Sequence, residues 1–357
     1  VHLGATSQDT MDTAAMLVAL RAGRAILADL DAAADVCASL THRHRATLMT
    51  GRTLLQPALP MTFGLKAGGW LVALTEAGDT LGGVLSDRLA VQLGGAAGTL
   101  AAFGDRGLAL SARLAERLGL AAPVLPWHTD RSRVADLAHA LVRVASACAK
   151  VALDVVLLAQ AEVAEVHEGG GPGHGGSSTM PQKANPVGSA LVLAAARRAQ
   201  SAASALVSSS VQDHERAATG GWHAEWQALT DGLRAAGGCA SGIRRVLDGL
   251  QVDVAQMAAN LARTHGTVVA ERVALDLAAD LGREKATAVV GRATRRALAG
   301  QQPLRQALGA DREVTTLRSP EELDKLCDPA GYLGVTEDLV ERALSVHRSS
   351  TSTRGEP

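Results

Sequence analysis

Residues 169–187 read GGGPGHGGSSTMPQKANPV, and the reading of this stretch decides the rest. Its first eight residues are all Gly, Pro or His, so neither a helix nor a strand runs through it. Ser177, Ser178, Thr179, Gln182, Lys183 and Asn185 follow, setting hydroxyls, amides and a cation close together. Residues 134–168 before it carry an apolar stripe at helical spacing, and residues 188–211 after it are rich in Ala. The stretch is therefore a polar loop, 169–186, between two helices. A glycine-hinged loop bearing hydroxyls and a lysine suits a lid that closes over an anion and supplies a proton-transfer group. By composition alone a surface linker serves equally, and only the order of residues separates the two.

The bulk of the chain extends the helical reading. Hydrophobic residues make up 47% of the 357 residues and aromatics only 2%, so the core is built from Ala, Leu and Val. Abundant Ala with few β-branched runs argues for helices over sheets, and the length allows two domains. A net charge of −1 gives no electrostatic case for nucleic acid or an anionic membrane surface. An anionic small molecule would have to be met by local charge. Cys37, Cys148, Cys239 and Cys327 have no CxxC spacing, so neither a metal site nor a disulfide framework is implied. They read as small core residues of a cytoplasmic protein. No stretch reads as a signal peptide or a membrane span, because Arg, Asp, Glu or Gly interrupts every apolar run.

Other polar islands lie between the predicted helices. Residues 1–12, VHLGATSQDTMD, offer Thr6 or Ser7 as a helix cap and Asp9 in the first turn. A long amphipathic helix follows over 12–44 and is broken at 50–61, TGRTLLQPALPM, by Gly51, Pro57 and Pro60. Residues 62–89 read as a glycine-laced helix. Residues 93–104, LGGAAGTLAAFG, are glycine-rich like a dinucleotide loop, but no strand precedes them and the spacing is wrong. In PWHTDRSR, 126–133, Asp130 is a candidate N-cap, and His128 and Arg133 suit surface or capping roles. Residues 212–226, QDHERAATGGWHAEW, read as a charged helix end with Trp packing. Arg216 there also offers a bidentate fork for a carboxylate.

The loop segment GSSTMPQKANP closely resembles the signature of the fumarase/aspartase superfamily, GSSxMPxKxNP. Residues 2–14, HLGATSQDTMDTA, resemble that superfamily's first conserved block, and residues 51–64, GRTLLQPALPMTFG, its second. The first block and residues 214–226 are most similar to the 3-carboxy-cis,cis-muconate cycloisomerase branch. Residues 254–278 and 326–334 resemble the C-terminal domain of cycloisomerases and adenylosuccinate lyases. The resemblance implies an all-α fold: a long central helical bundle over 1–247, a small C-terminal helical domain over 248–345 and a disordered tail over 346–357. In those relatives a helical segment precedes the first block, and this sequence begins at the block itself.

It also implies chemistry next to a carboxylate, a homotetramer whose active sites are shared between subunits, and a small polycarboxylate substrate with no cofactor or metal. Ser177 matches the loop serine and is the proton-transfer candidate, with His2 and His223 as reserve proton donors. Thr6, Ser7, Gln8, Gln56, Lys183, Asn185 and Arg216 match substrate-binding positions. One departure selects the reaction. Many members carry a proton-relay histidine where this chain has Leu54, and its partner glutamate where it has Ala190. Losing both together is coherent, since a buried glutamate without its partner is costly. The cycloisomerase branch also lacks the pair. An adenylosuccinate lyase-like, fumarate-releasing enzyme and a non-catalytic structural member of the superfamily are the alternatives.

Overall fold

The computed structural model describes residues 2–169, 175–176, 179–180, 183–216 and 219–354. Five long helices form its bundle: α1 (Ser7–Arg43), α2 (Phe63–Asp87), then, after the short α3 (Gly107–Leu118), α4 (Ser132–Leu158), α5 (Val187–Ser208) and α6 (Gly221–Asp248). At 37 residues, α1 is about 55 Å long. Its buried stripe (Met16, Leu20, Ile26, Leu30, Cys37) follows the helical period, and Thr6 occupies the N-cap. With few aromatics, the core is closed by small residues that let helices approach. A Cβ at Gly23 would lie 2.5 Å from Leu85 Cδ2, so glycine lets the Leu85 side chain pack directly against α1 where α1 and α2 cross.

Strands are few and short. α1 ends at Arg43, ahead of residues 50–61, and that segment belongs to an antiparallel hairpin, β1 (Leu48–Thr53) with β2 (Gln56–Thr62). A two-stranded ribbon has edges enough to accept Pro57 and Pro60. Residues 134–168 are not one helix. α4 stops at Leu158, and Val166–Glu168 forms β3, which pairs antiparallel with β4 (Leu250–Val252). The break follows from Glu165, fully buried and gripped by Arg52 of β1 at 2.9 and 2.7 Å. The chain leaves the helix, with Ala164 at φ +50°, to deliver that carboxylate.

After β4 come α7 (Val254–Ala262), α8 (Ala270–Leu281), α9 (Arg283–Gly300), α10 (Leu304–Gly309), α11 (Arg312–Thr315), α12 (Pro320–Leu326) and α13 (Thr336–Arg354). Residues of α8 to α12 enclose a second, smaller core around Val273, Leu277, Val289 and Leu308. Its surface carries a belt of ion pairs: Arg305–Asp324, Arg318 with Asp276 and Asp280, Lys285–Glu313 and Arg296–Asp311. Met257 of α7 still belongs to the bundle core, as do Val340, Ala343 and Leu344 of α13. Of the expected disordered tail, 346–357, residues 346–354 continue α13, and 355–357 lie outside the described residues. The buried His347 holds α13 in place, its Nε2 2.9 Å from Asp35 of α1 and its Nδ1 3.3 Å from Thr75 of α2.

Candidate active site

The candidate residues gather at two opposite ends of the bundle. α1, α4 and α6 all begin at one end, where Asp12 meets both Arg131 and Trp222. α1 ends at the hairpin, and α6 ends beside the root of the 169–187 loop, where Gly169 N–H donates to Gly249 O at 2.8 Å. The 27 residues of α4 alone separate these ends by about 40 Å.

The first end is organised by a carboxylate the sequence reading used only as a helix-end charge. Asp9 accepts from the backbone N–H groups of Thr6 (2.9 Å), Gly94 (3.0 Å) and Gly95 (2.9 Å), and His128 Nε2 lies 2.7 Å from its Oδ1. Burial would push the Asp9 carboxyl up, but the bonds from His128, Thr6 and Gly95 outweigh it and hold it below its ordinary range. The glycine-rich segment 93–104 is thus a cradle for the protein's own anion. Gly94 must lack a side chain, because a Cβ there would lie 2.7 Å from His128 Cε1. His128 is no surface residue: it is 4% exposed.

A second buried cluster adjoins it. The Arg131 guanidinium forks onto Asp12 (2.8 and 3.0 Å) and Glu225, and lies 4.8 Å over the Trp127 ring. Trp222 Nε1 donates to Asp12 at 2.9 Å, and Gln212 Nε2 to Glu225 at 3.2 Å. Burial pushes the Glu225 carboxyl up, opposed by its hydrogen bond from Arg131. One cation thus serves two carboxylates beside a cavity of about 290 Å³ lined by Met11, Val18, Trp222, Trp226 and Leu229. Asp130 accepts the Ser132 N–H at 3.1 Å, one residue ahead of the N-cap, Arg131.

Most candidates from residues 2–14 and 214–226 meet here. Gln8 is only 2% exposed and gives its Nε2 to His128 O at 2.8 Å; Ser7 and His2 are exposed. Arg216 donates to the carbonyls of Gly95 and Ala96, both at 3.2 Å, so it grips the segment that holds Asp9. The exposed His223 ring lies 5.1 Å from Trp222 and 5.0 Å from Trp226.

The other end holds the hairpin and the loop. Leu54 and Leu55 form the hairpin turn with φ +49° and +65°, a left-handed pair usually filled by Asn and Gly. They are 96% and 70% exposed, so within one chain Leu54 shapes no pocket. Gln56 is exposed beside them. In the loop, Asn185 donates both its backbone N–H (2.8 Å) and its Nδ2 (2.9 Å) to Gly175 O, joining the loop's two arms. Lys183 and Ala190 are exposed, and Glu168 accepts the N–H groups of Gly188 and Ser189 at the start of α5. Ser177 and most of the glycine run expected to act as a lid lie outside the described residues.

The chain is similar to known proteins over nearly its whole length. Residues 1–201 match the lyase family, and residues 266–343 match the adenylosuccinate lyase C-terminus. A 3-carboxy-cis,cis-muconate cycloisomerase of Bradyrhizobium diazoefficiens is 46% identical over 96% of this chain and 76% of that protein. A nitrosuccinate lyase of Streptomyces davaonensis is 45% identical over 96% of this chain and 74% of that protein. The crystal structure of the 3-carboxy-cis,cis-muconate lactonizing enzyme from Pseudomonas putida superposes with a TM-score of 0.90 at 42% identity, covering 98% of this chain and 78% of that one. With this loop signature, this all-helical architecture and this identity over nearly its whole length, the chain belongs to the fumarase/aspartase superfamily.

Proposed function

We propose that the protein is a cycloisomerase that closes 3-carboxy-cis,cis-muconate to 4-carboxymuconolactone, reversibly, in aromatic-compound catabolism by the protocatechuate/β-ketoadipate route. The observation that carries this is the paired loss of the proton relay, Leu54 and Ala190, in a chain that keeps Lys183, Asn185 and the serine of the signature loop. Cycloisomerases at 46% identity support it. In this reaction one substrate carboxylate adds to a double bond of the same molecule. The nucleophile is already ionised, so no base is needed to make it. The C–O bond forms, the displaced electron pair moves onto the carbon flanked by another carboxylate, and a proton delivered to that carbon completes the lactone. Ser177 is assigned as the donor, with His2 and His223 in reserve. Thr6, Ser7, Gln8, Gln56, Lys183, Asn185 and Arg216 bind carboxylates in the assembled site.

The site is assembled between subunits of a homotetramer. Candidates held about 40 Å apart along one bundle cannot meet on one substrate, and a second copy can bring the far end of its bundle to the near end of the first. The exposed, left-handed Leu54–Leu55 tip is the kind of strained apolar projection that a partner surface stabilises. Free thiols at all four cysteines support a cytoplasmic location. The 45% identity to a nitrosuccinate lyase favours a second reading, elimination from a substituted succinate. An ultraviolet assay decides between them: loss of diene absorbance with 3-carboxy-cis,cis-muconate is expected. Turnover confined to nitrosuccinate or adenylosuccinate would replace the first reading with the second.

A further inference from the structure

We propose that Asp9 and His128 form a positioning couple that sets the carboxylate-binding geometry of residues 6–8 and Arg216; the proposal rests on the cycloisomerase reading of that site. An Asp9 carboxylate already accepting three backbone N–H groups is an ionised acceptor, and this assigns the proton to His128 Nε2. The imidazole therefore fixes the plane of the carboxylate. Through Oδ2 that plane fixes the Thr6 N–H, and with it the first turn of α1. The Gln8 amide returns to the carbonyl of the same histidine, closing a ring of contacts around the block.

The second carboxylate binder is tied to the same carboxylate from the other side. Gly95 gives its N–H to Asp9, and its carbonyl takes the Arg216 guanidinium. The Thr6 and Gly95 N–H groups both donate to Asp9 Oδ2, so displacing that oxygen reaches both binders. Both members of the couple are almost fully buried, so neither solvent nor salt competes for the bond. Residues 9 and 128 also lie on different segments, 119 positions apart, so the bond ties the start of α1 to the turn before α4. His128 is a positioning residue here: no step of the reaction is routed through it.

The test separates the donated N–H from the ring's volume. His128→Phe keeps the ring and removes the donor, whereas His128→Gln keeps an N–H close to the place of Nε2. Steady-state kinetics on 3-carboxy-cis,cis-muconate should show KM raised about tenfold or more in His128→Phe, with kcat falling less than about threefold. His128→Gln should return KM to within about threefold of the parent protein. A space-filling role predicts the reverse order, with Phe tolerated and Gln not, and that result would overturn the proposal. So would a large fall in kcat at constant KM in both variants.

A second measurement needs neither turnover nor a variant. Amide hydrogen exchange of the parent protein is followed with and without propane-1,2,3-tricarboxylate. Added protection at Thr6, Gly94 and Gly95 is expected, and unchanged exchange there despite calorimetric binding would refute the coupling. If the tricarboxylate does not bind at all, the coupling to carboxylate binding is refuted as well. Absent turnover with intact tricarboxylate binding would instead count against the cycloisomerase reading alone.

Discussion

Replacing Arg131 by methionine should expose how the first end of the bundle is held together. Arg131 is 2% exposed and, among the described residues, is the one cation paired with both Asp12 and Glu225. Methionine fills similar volume and removes the charge, leaving two buried carboxylates side by side. Breaking a buried pair in this way costs about 3–5 kcal/mol, because the orphaned charge cannot be resolvated. For 357 residues the unfolding entropy is about 0.75 kcal/mol/K, so the thermal midpoint should fall by about 4–7 °C. The deficit should also depend on pH. Glu225 already sits above its ordinary range through burial, and without the Arg131 hydrogen bond that opposes the burial it is pushed further up. A folded-state pKa above the unfolded value means stability is lost as pH rises through that interval. The midpoint difference between Arg131→Met and the parent should therefore be largest near pH 8 and shrink toward pH 5. Adding Glu225→Gln to Arg131→Met should recover part of the loss at pH 8 and little at pH 5. Thermal scans at fixed rate and two pH values measure both effects. A deficit under about 1 kcal/mol, or one independent of pH, would show that the cluster is solvated rather than buried.

Three further outcomes follow from the proposed chemistry and assembly. Ser177→Ala should cut kcat by roughly 10²–10⁴ while binding of a non-reactive tricarboxylate weakens far less; near-normal turnover would move the search to His2 and His223. Leu54→His should not raise lactonisation, since Ala190 supplies no carboxylate to pair with the imidazole; faster turnover in stopped-flow or steady-state assays would contradict the loss of the relay as a unit. Leu54→Lys with Leu55→Lys should leave each chain folded, because both side chains are exposed, yet lower the mass seen by light scattering and reduce activity more than about tenfold. An intact tetramer at full activity would show that the hairpin tip is not at a subunit contact.

What the sequence made legible was whatever repeats locally. The apolar stripe of α1, the run of α2 and the Ala-rich α5 are visible in residues three and four apart, and the motif of residues 176–186 is contiguous. The end of α4 was not visible, because it is set by a bond between Arg52 and Glu165, 113 residues apart. Asp9 and His128 were likewise read as a helix-end charge and a surface residue. Nothing near either one in sequence announces a partner 119 positions away. The glycines of 93–104 carry the usable signal: a loop of that composition with no strand before it is free to serve another group, and here it serves Asp9. The contact of the Asn185 amide with Gly175 O, which joins the two arms of the loop, is another that no local pattern announces.

The belt of ion pairs around the second core gives this protein two regions of different ionic-strength response. At 1 M salt the screening length is about 3 Å, so exposed pairs such as Arg305–Asp324 and Lys285–Glu313 lose most of their attraction. The buried contacts of Asp9 and Arg131 admit no counter-ions and keep theirs. Concentrated sodium chloride should thus loosen the α8–α12 unit before it disturbs the bundle, and mild proteolysis in high salt should cut first among residues 282–320.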